Sequence, residues 1–436
     1  VDSAGIRDLD AVVERLAGAA TAAGCDVRRL GVAEPPSVDL DAALARALAH
    51  PVASPRLRDL AGGRRNAVII TSDATRPVPT RDLLGPVMDE LAAGGIDAAD
   101  VDVVIGGGAH RRPYPAEIVS LLGGDWAARL RVRSHDHRAA DLVDLGRTPA
   151  GTPLSVDRVV AAADLRVSFG QVEPHEFAGF TGGRKSILPA VTGEAGIRAN
   201  HALANLRHPK ARPGMLDGNP IHEDMLAAAR LARLDFIVNV ALGGELEPLA
   251  VAAGDPFAAH TELTDFVRGF ARLEPPGGPV DVVVTGPGAP LDIDLYQSVK
   301  PLVGLQPMVE AMAAKARADA GVTAAAPAAS GIPGDAWRPP VVVLVSSCWD
   351  GVGSPEMVEP FEGASAPEEV LARLDGMYTP AMNESFNIAR FLSVCPDVVA
   401  CCPGVPGDDL RRLFLTPADT PEEALDTALA TAAPAG

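Results

Sequence analysis

The chain has 436 residues, more than one ordinary hydrophobic core accommodates, so two domains are expected. Hydrophobic residues make up 47% and charged residues 22%, which excludes a disordered chain, and no apolar run approaches the ~20 residues needed to cross a bilayer, so no membrane partner is expected. A net charge of −19 argues against nucleic acid as a partner, while a local Arg/Lys/His cluster can still draw a small anion into a cleft. The first residues, Val1-Asp2-Ser3-Ala4-Gly5, show no basic or apolar leader pattern, so no secretory signal is expected. Cys25, Cys348, Cys395, Cys401 and Cys402 are odd in number and lack C-x-x-C spacing, which fits reduced thiols in a cytoplasm.

Along the chain one pattern recurs: a short apolar run, a polar or glycine-rich loop, then helical periodicity. Residues 67–70 lead into Ser72-Asp73-Ala74-Thr75-Arg76-Pro77 and an amphipathic helix from Arg81 to Ala93. Residues 101–105 lead into Gly106-Gly107-Gly108-Ala109-His110, with a helix starting near Pro115. Residues 165–169 lead into the loop from His175 to Lys185, and residues 197–206 read as helical. Further on, residues 280–285 precede a helix carrying Tyr296, Gln297 and Lys300, and residues 341–345 precede Ser346-Ser347-Cys348-Trp349. A terminal helix is expected from Thr420, as N-cap, to Ala432. Continuous β-branched runs alternating with helices predict an α/β fold with largely parallel sheets flanked by helices. The expected domains are 1–273 and 280–436, joined by a Pro/Gly-rich linker at 274–279, with a soft segment at 318–340 and a tail helix able to pack back on the first domain. In such sheets ligands bind beyond the carboxyl ends of the strands, where Asp73, Arg76, His110, His175 and Lys185 fall.

The densest stretch is Gln171 to Asp224, with four histidines, Gly182-Gly183-Arg184-Lys185 and Asp217-Gly218-Asn219-Pro220. Paired glycines let backbone N–H groups approach an anion while Arg184 and Lys185 neutralise it, and neutral imidazoles suit zinc or nickel. Asp73 and Arg76 share one turn and read either as a carboxylate-recognition pair or as a self-paired loop. His110, behind three glycines, is placed for proton exchange or is a surface histidine. Lys185 reads as a nucleophile, a phosphate contact or a solvated lysine, and His201 as one ligand of a metal. His135-Asp136-His137 reads as a polar strand end before a metal clip, and His222-Glu223-Asp224 as the start of a helix. His50, His208 and His260 carry no local signal.

Taken together and in this order, the segments from about Asp73 to Lys300 resemble the nickel-dependent lactate racemase family, whose catalytic subunit carries a nickel pincer nucleotide. The resemblance rests on Asp73…Arg76-Pro77, Gly108-Ala109-His110-Arg111, Pro174-His175…Gly182-Gly183-Arg184-Lys185, Asn200-His201 and Leu295-Tyr296-Gln297-Ser298-Val299-Lys300. It implies a racemase or epimerase of a 2-hydroxy acid whose cofactor is a pyridinium thioamide/thiocarboxylate mononucleotide with Ni(II), attached covalently at Lys185. It implies that His201 completes nickel coordination and that His110 and His175 are an acid/base pair on opposite sides of the substrate carbon. It further implies that Asp73, Arg76, Tyr296, Gln297 and Lys300 orient these histidines, the substrate carboxylate or the cofactor, in a site between the two domains. Reversible hydride transfer to the cofactor would then invert the centre through a planar keto acid. Separate cofactor-biosynthesis proteins would be partners in maturation.

An aromatic residue is expected near the site, and Trp349 and Phe386 are both candidates. The loop after residue 345 and residues 383–387 are expected to shape preference among lactate and longer, aromatic or more polar 2-hydroxy acids. Two other readings stay open: a metal-dependent hydrolase or lyase using the same histidines, and a non-catalytic nickel or nucleotide carrier. The His110/His175 pair counts against a carrier, which needs no acid/base couple.

Overall fold

The computed structural model describes residues 9–22, 24–27, 33–272, 278, 280–319 and 337–433; most of the linker expected at 274–279 and of the soft segment at 318–340 lies outside these. Two compact units divide the chain, Val32–Arg272 and a second made of Val1–Gly31 with Leu273–Gly436. The first helix, α1 (Leu9–Ala22), belongs to the second unit, so the domain expected to begin at residue 1 begins after it. The physical reason is its apolar stripe: Val12, Leu16 and Ala20, at helical spacing, share a core with Val341, Val343, Val345, Ala424, Leu425 and Ala428.

In the unit Val32–Arg272, α2 (Leu40–Ala49) precedes β1 (Ala67–Ser72), α3 (Thr80–Ala93) and β2 (Val101–Gly106). There follow α4 (Pro115–Leu122), β3 (Arg131–Ser134), the antiparallel pair β4 (Val143–Arg147) and β5 (Pro153–Val156), and β6 (Leu165–Gln171). A small hairpin, β7 (Pro174–His175) and β8 (Gly179–Phe180), leads to α5 (Glu194–Asn200), α6 (Pro220–Leu231), β9 (Phe236–Leu242), β10 (Pro248–Gly254) and α7 (Ala258–Arg268). Six strands form one sheet in the order β10–β9–β6–β1–β2–β3, parallel throughout except for β10 on β9. Ile69, Val103, Val167, Phe169 and Val238 pack with Leu83, Leu84, Val87 and Leu91 of α3, which is why these strands read as continuous apolar runs.

The order matters for the site. From β1 the chain moves outward to β2 and β3, then returns to place β6 on the other side of β1. The loops after β6, β1 and β2 are therefore neighbours, at the point where the winding reverses and open α/β sheets bind ligands.

In the second unit β11 (Val282–Thr285), β12 (Val341–Val345), β13 (Val398–Cys401) and β14 (Thr416–Pro417) form a four-stranded parallel sheet in that order. It carries α8 (Leu295–Ser298), α9 (Lys300–Asp319), α10 (Asn383–Leu392) and α11 (Pro421–Ala432). The tail helix α11 starts as expected, with Thr420 Oγ1 accepting from the Glu423 N–H at 3.1 Å, but it packs in its own unit's core. No helix among the described residues is long and apolar enough to cross a membrane.

Candidate active site

Asp73 follows directly on β1 and is 4% exposed. Its Oδ2 lies 2.9 Å from His110 Nδ1, and its Oδ1 accepts from the Thr75 amide at 3.0 Å and the Thr75 hydroxyl at 2.5 Å. Burial alone would raise the Asp73 carboxyl; the charge and hydrogen bond of His110, then Thr75 and Arg76, hold it well below the usual carboxylate range. An ionised Asp73 accepts the Nδ1–H of His110, which puts the basic lone pair of that imidazole on Nε2. Arg76 does not close on Asp73, as the self-paired reading would have it: its Nη1 donates to the Thr75 carbonyl at 2.9 Å.

His175 sits on β7, 5% exposed. The Lys185 amine lies 3.0 Å from its Nε2, and the Glu176 carboxylate lies 3.2 Å from its Nδ1. The same Nδ1 accepts from the Phe177 and Ala178 N–H groups at 3.4 Å each. Each candidate acid/base histidine thus has a carboxylate behind it, Asp73 for one and Glu176 for the other. The Phe177 ring meets His175 edge-on at 4.6 Å and His201 at 5.0 Å. His175, Lys185 and His201 are therefore brought together around one phenyl group.

The glycines of the loop serve its packing. Gly182 and Gly183 have φ of +76° and +53°, and a Cβ on Gly183 would lie 2.7 Å from the His260 ring. The Gly183 N–H donates to Asn239 Oδ1 at 2.8 Å. Arg184 is fully buried under the loop, donating to the Ala178 carbonyl at 2.7 Å, and its Nη1 lies 2.9 Å from His260 Nε2, which also lies 2.8 Å from the Thr181 carbonyl. Of the residues expected to cradle an anion, Gly183 gives its amide to Asn239, and Arg184 is buried, which lowers it to about 9. Lys185 is the loop's cation beside the histidines. Sequence reasoning missed Asn239 and His260; an asparagine inside the apolar run Phe236–Leu242 was the available signal.

His201 is the C-cap of α5, and the helix expected over 197–206 breaks there. Asn205 Nδ2 donates to the carbonyls of Asn200 at 2.9 Å and Ala199 at 3.3 Å, replacing the amides that a continuing helix would have supplied. Burial, and then the charge of Lys185, push the His201 imidazole down to about 3, and its buried Nδ1 has no hydrogen-bond partner. Asn219 caps α6, the helix expected to start at His222-Glu223-Asp224, accepting from the Ile221 N–H at 3.1 Å, and its Nδ2 donates to the Phe177 carbonyl at 2.8 Å. His222, on that first turn, is buried and is pushed down to about 3 by burial and then by Arg184. His135 is buried between Asp157 at 3.3 Å and the Thr192 carbonyl at 3.1 Å, a strand-end role.

In the second unit Asp294 caps α8, accepting from the Gln297 N–H at 2.8 Å, and Lys300 Nζ donates to Gln297 Oε1 at 2.6 Å. Tyr296 Oη donates to the Pro380 carbonyl at 3.5 Å. Gln297 and Lys300 are thus paired with each other, while Tyr296 reaches the Pro380 carbonyl. Of the two aromatic candidates, Phe386 is buried in α10 and Trp349 is 44% exposed.

Residues 25–214 match the model of the lactate racemase N-terminal domain. The lactate racemase of Thermoanaerobacterium thermosaccharolyticum is 34% identical over 389 residues, 88% of this chain and 84% of that protein. The lactate racemase of Lactiplantibacillus plantarum is 38% identical over 257 residues, 58% of this chain and 60% of that protein. The structure of the Thermoanaerobacterium thermosaccharolyticum lactate racemase apoprotein superposes with a TM-score of 0.76 at 31% identity, covering 93% of this chain and 92% of that one. A crystal structure of a protein from Thermotoga maritima shares the fold at a TM-score of 0.57 and 17% identity, covering 84% of this chain and 92% of that one. With a relative matched at that identity over most of both chains, this protein belongs to the lactate racemase family and is an isomerase.

Proposed function

We propose that this racemase inverts a 2-hydroxy acid, with His110 and His175 as its acid/base pair. Lys185 is the attachment point of a nickel pincer nucleotide, and His201 is the protein's ligand to its nickel. The observation that carries the reading is the His201 imidazole, which is buried, neutral at ordinary pH and unpartnered at Nδ1. A buried nitrogen left unpaired costs about 1–3 kcal/mol, and coordination to a metal removes that cost. Among the described residues no three His, Cys, Asp or Glu side chains are grouped to hold a metal. A cofactor that brings its own sulfur and carbon donors asks for only one protein imidazole, which fits this donor set and favours the reading over a protein-held hydrolytic metal.

When bound, the cofactor supplies a pyridinium acceptor for the hydride leaving the substrate carbon. His110, held by Asp73, exchanges the hydroxyl proton at Nε2. His175, with Nε2 toward Lys185 and Nδ1 held by the Phe177 and Ala178 amides, does so from the opposite side. Lys185 Nζ, 3.0 Å from His175 Nε2, would hold the cofactor, and its attachment there would leave that nitrogen open to the substrate. The keto acid is planar, so return of the hydride to its other face, with the opposite histidine supplying the proton to oxygen, would invert the centre. Arg76 and Lys300 pin the substrate carboxylate, and Tyr296 and Gln297 orient the reacting groups. The lactate racemase activity of the relatives supports a 2-hydroxy acid of lactate size or larger. The free cysteines suit a reducing cytoplasm.

The test is intact-protein mass with nickel content, on protein co-expressed with the cofactor's biosynthetic enzymes. A nucleotide-sized adduct mapping to Lys185, with about one nickel per chain, is expected. Retention of that adduct by Lys185→Ala would contradict the assignment.

A further inference from the structure

We propose that Phe177 is a positioning residue that sets the mutual placement of His175, Lys185 and His201; this rests on the racemase reading above. The three groups come from different pieces of backbone: the two-residue strand β7, the turn Gly183–Ser186 and the end of α5. Phe177 meets all of them. Its ring centroid lies 4.6 Å from that of His175 at 77° between planes and 5.0 Å from that of His201 at 79°. Lys185 Nζ lies 5.7 Å from the same centroid.

Edge-to-face contacts are directional: they fix the plane of each ring as well as its distance. This matters most at His201, where no hydrogen bond at Nδ1 orients the ring. The phenyl group is itself anchored. It is 5% exposed, and its carbonyl accepts from Asn219 Nδ2 at 2.8 Å, the same side chain whose oxygen caps α6. Phe177 thereby transmits the fixed position of a helix N-terminus to the acid/base imidazole, the attachment lysine and the nickel ligand. A leucine would fill most of the volume without holding either imidazole plane.

The test compares wild type with Phe177→Leu, and with Phe177→Met should the leucine variant fail to fold, folding being checked by circular dichroism. In apoprotein labelled at the histidine ring carbons, the His175 and His201 resonances, assigned from His175→Gln and His201→Gln spectra, should move and broaden. That of His135 should stay. In cofactor-loaded protein kcat should fall about 10²-fold with KM within about threefold, as expected when reacting groups are misplaced and binding is kept. Unmoved histidine resonances with kcat within about twofold of wild type would overturn the proposal. A wild type that keeps its adduct but racemises nothing would refute the racemase reading, and the apoprotein spectra would still decide the positioning role.

Discussion

At Asp73 a buried carboxylate is kept ionised by the imidazole it orients, and the chemistry proposed for His110 depends on that arrangement. Asp73→Asn replaces an obligate acceptor with an amide that can also donate, so the imidazole proton is no longer confined to Nδ1. The variant is expected to keep the Lys185 adduct by mass while kcat falls about 10²- to 10⁴-fold, measured by chiral chromatography of product. A loss of the adduct instead would assign Asp73 to cofactor binding. His222 gives a second residue-scale prediction. Its folded value, about 3, lies below the ordinary 6.5, so below pH 6.5 the unfolded chain takes up a proton that the folded unit refuses. Stability from this source is complete above 6.5 and is lost as pH falls toward 3, about 2 kcal/mol of it by pH 5. Apoprotein carrying His222→Gln should therefore lose less Tm than wild type between about pH 7.5 and pH 5, by roughly 4 °C. Identical pH dependence of the two proteins would show that His222 is not held neutral.

At the scale of elements, the loop after β6 is shaped by what lies beneath it. Gly183→Ala puts a Cβ 2.7 Å from the His260 ring at a φ of +53°. A loss of about 2–4 kcal/mol in urea unfolding of the apoprotein is expected, from strain and overpacking together. The strand-then-loop placement of Asp73, His110 and His175 was legible because parallel strands buried on both faces read as unbroken Val/Ile runs and end in glycine or polar residues. The helices over 80–93 and 421–432 were legible from periodicity and from Thr420 and Pro421. What sequence pattern did not reveal was long-range. Arg184 looks like a surface cation beside Lys185, yet it faces His260, 76 positions away. The helix break at His201 depends on Asn205 turning back onto two carbonyls, an outcome that periodicity does not encode. Glu176 and Phe177 stood in plain sight, but only the hairpin of β7 and β8 shows that both address His175.

At the scale of the molecule, the histidines and Lys185 belong to the unit Val32–Arg272, and Tyr296, Gln297 and Lys300 belong to the other. The separation of the two sets in sequence was legible; the membership of α1 was not, because its short Val12-Leu16-Ala20 stripe fits any apolar surface. If Lys300 pins the substrate carboxylate, Lys300→Ala should raise KM about tenfold or more, the loss of one charge-assisted contact, while the Lys185 adduct keeps its full mass. The central claim is tested most directly by incubating cofactor-loaded protein with each pure enantiomer of a 2-hydroxy acid, lactate first and then longer and more polar homologues, and following composition by chiral chromatography. Enantiomers have equal free energies, so both starting points should converge on an equal mixture for at least one acid in the series. Adduct-bearing protein that leaves every enantiomer unchanged from both directions would contradict the account.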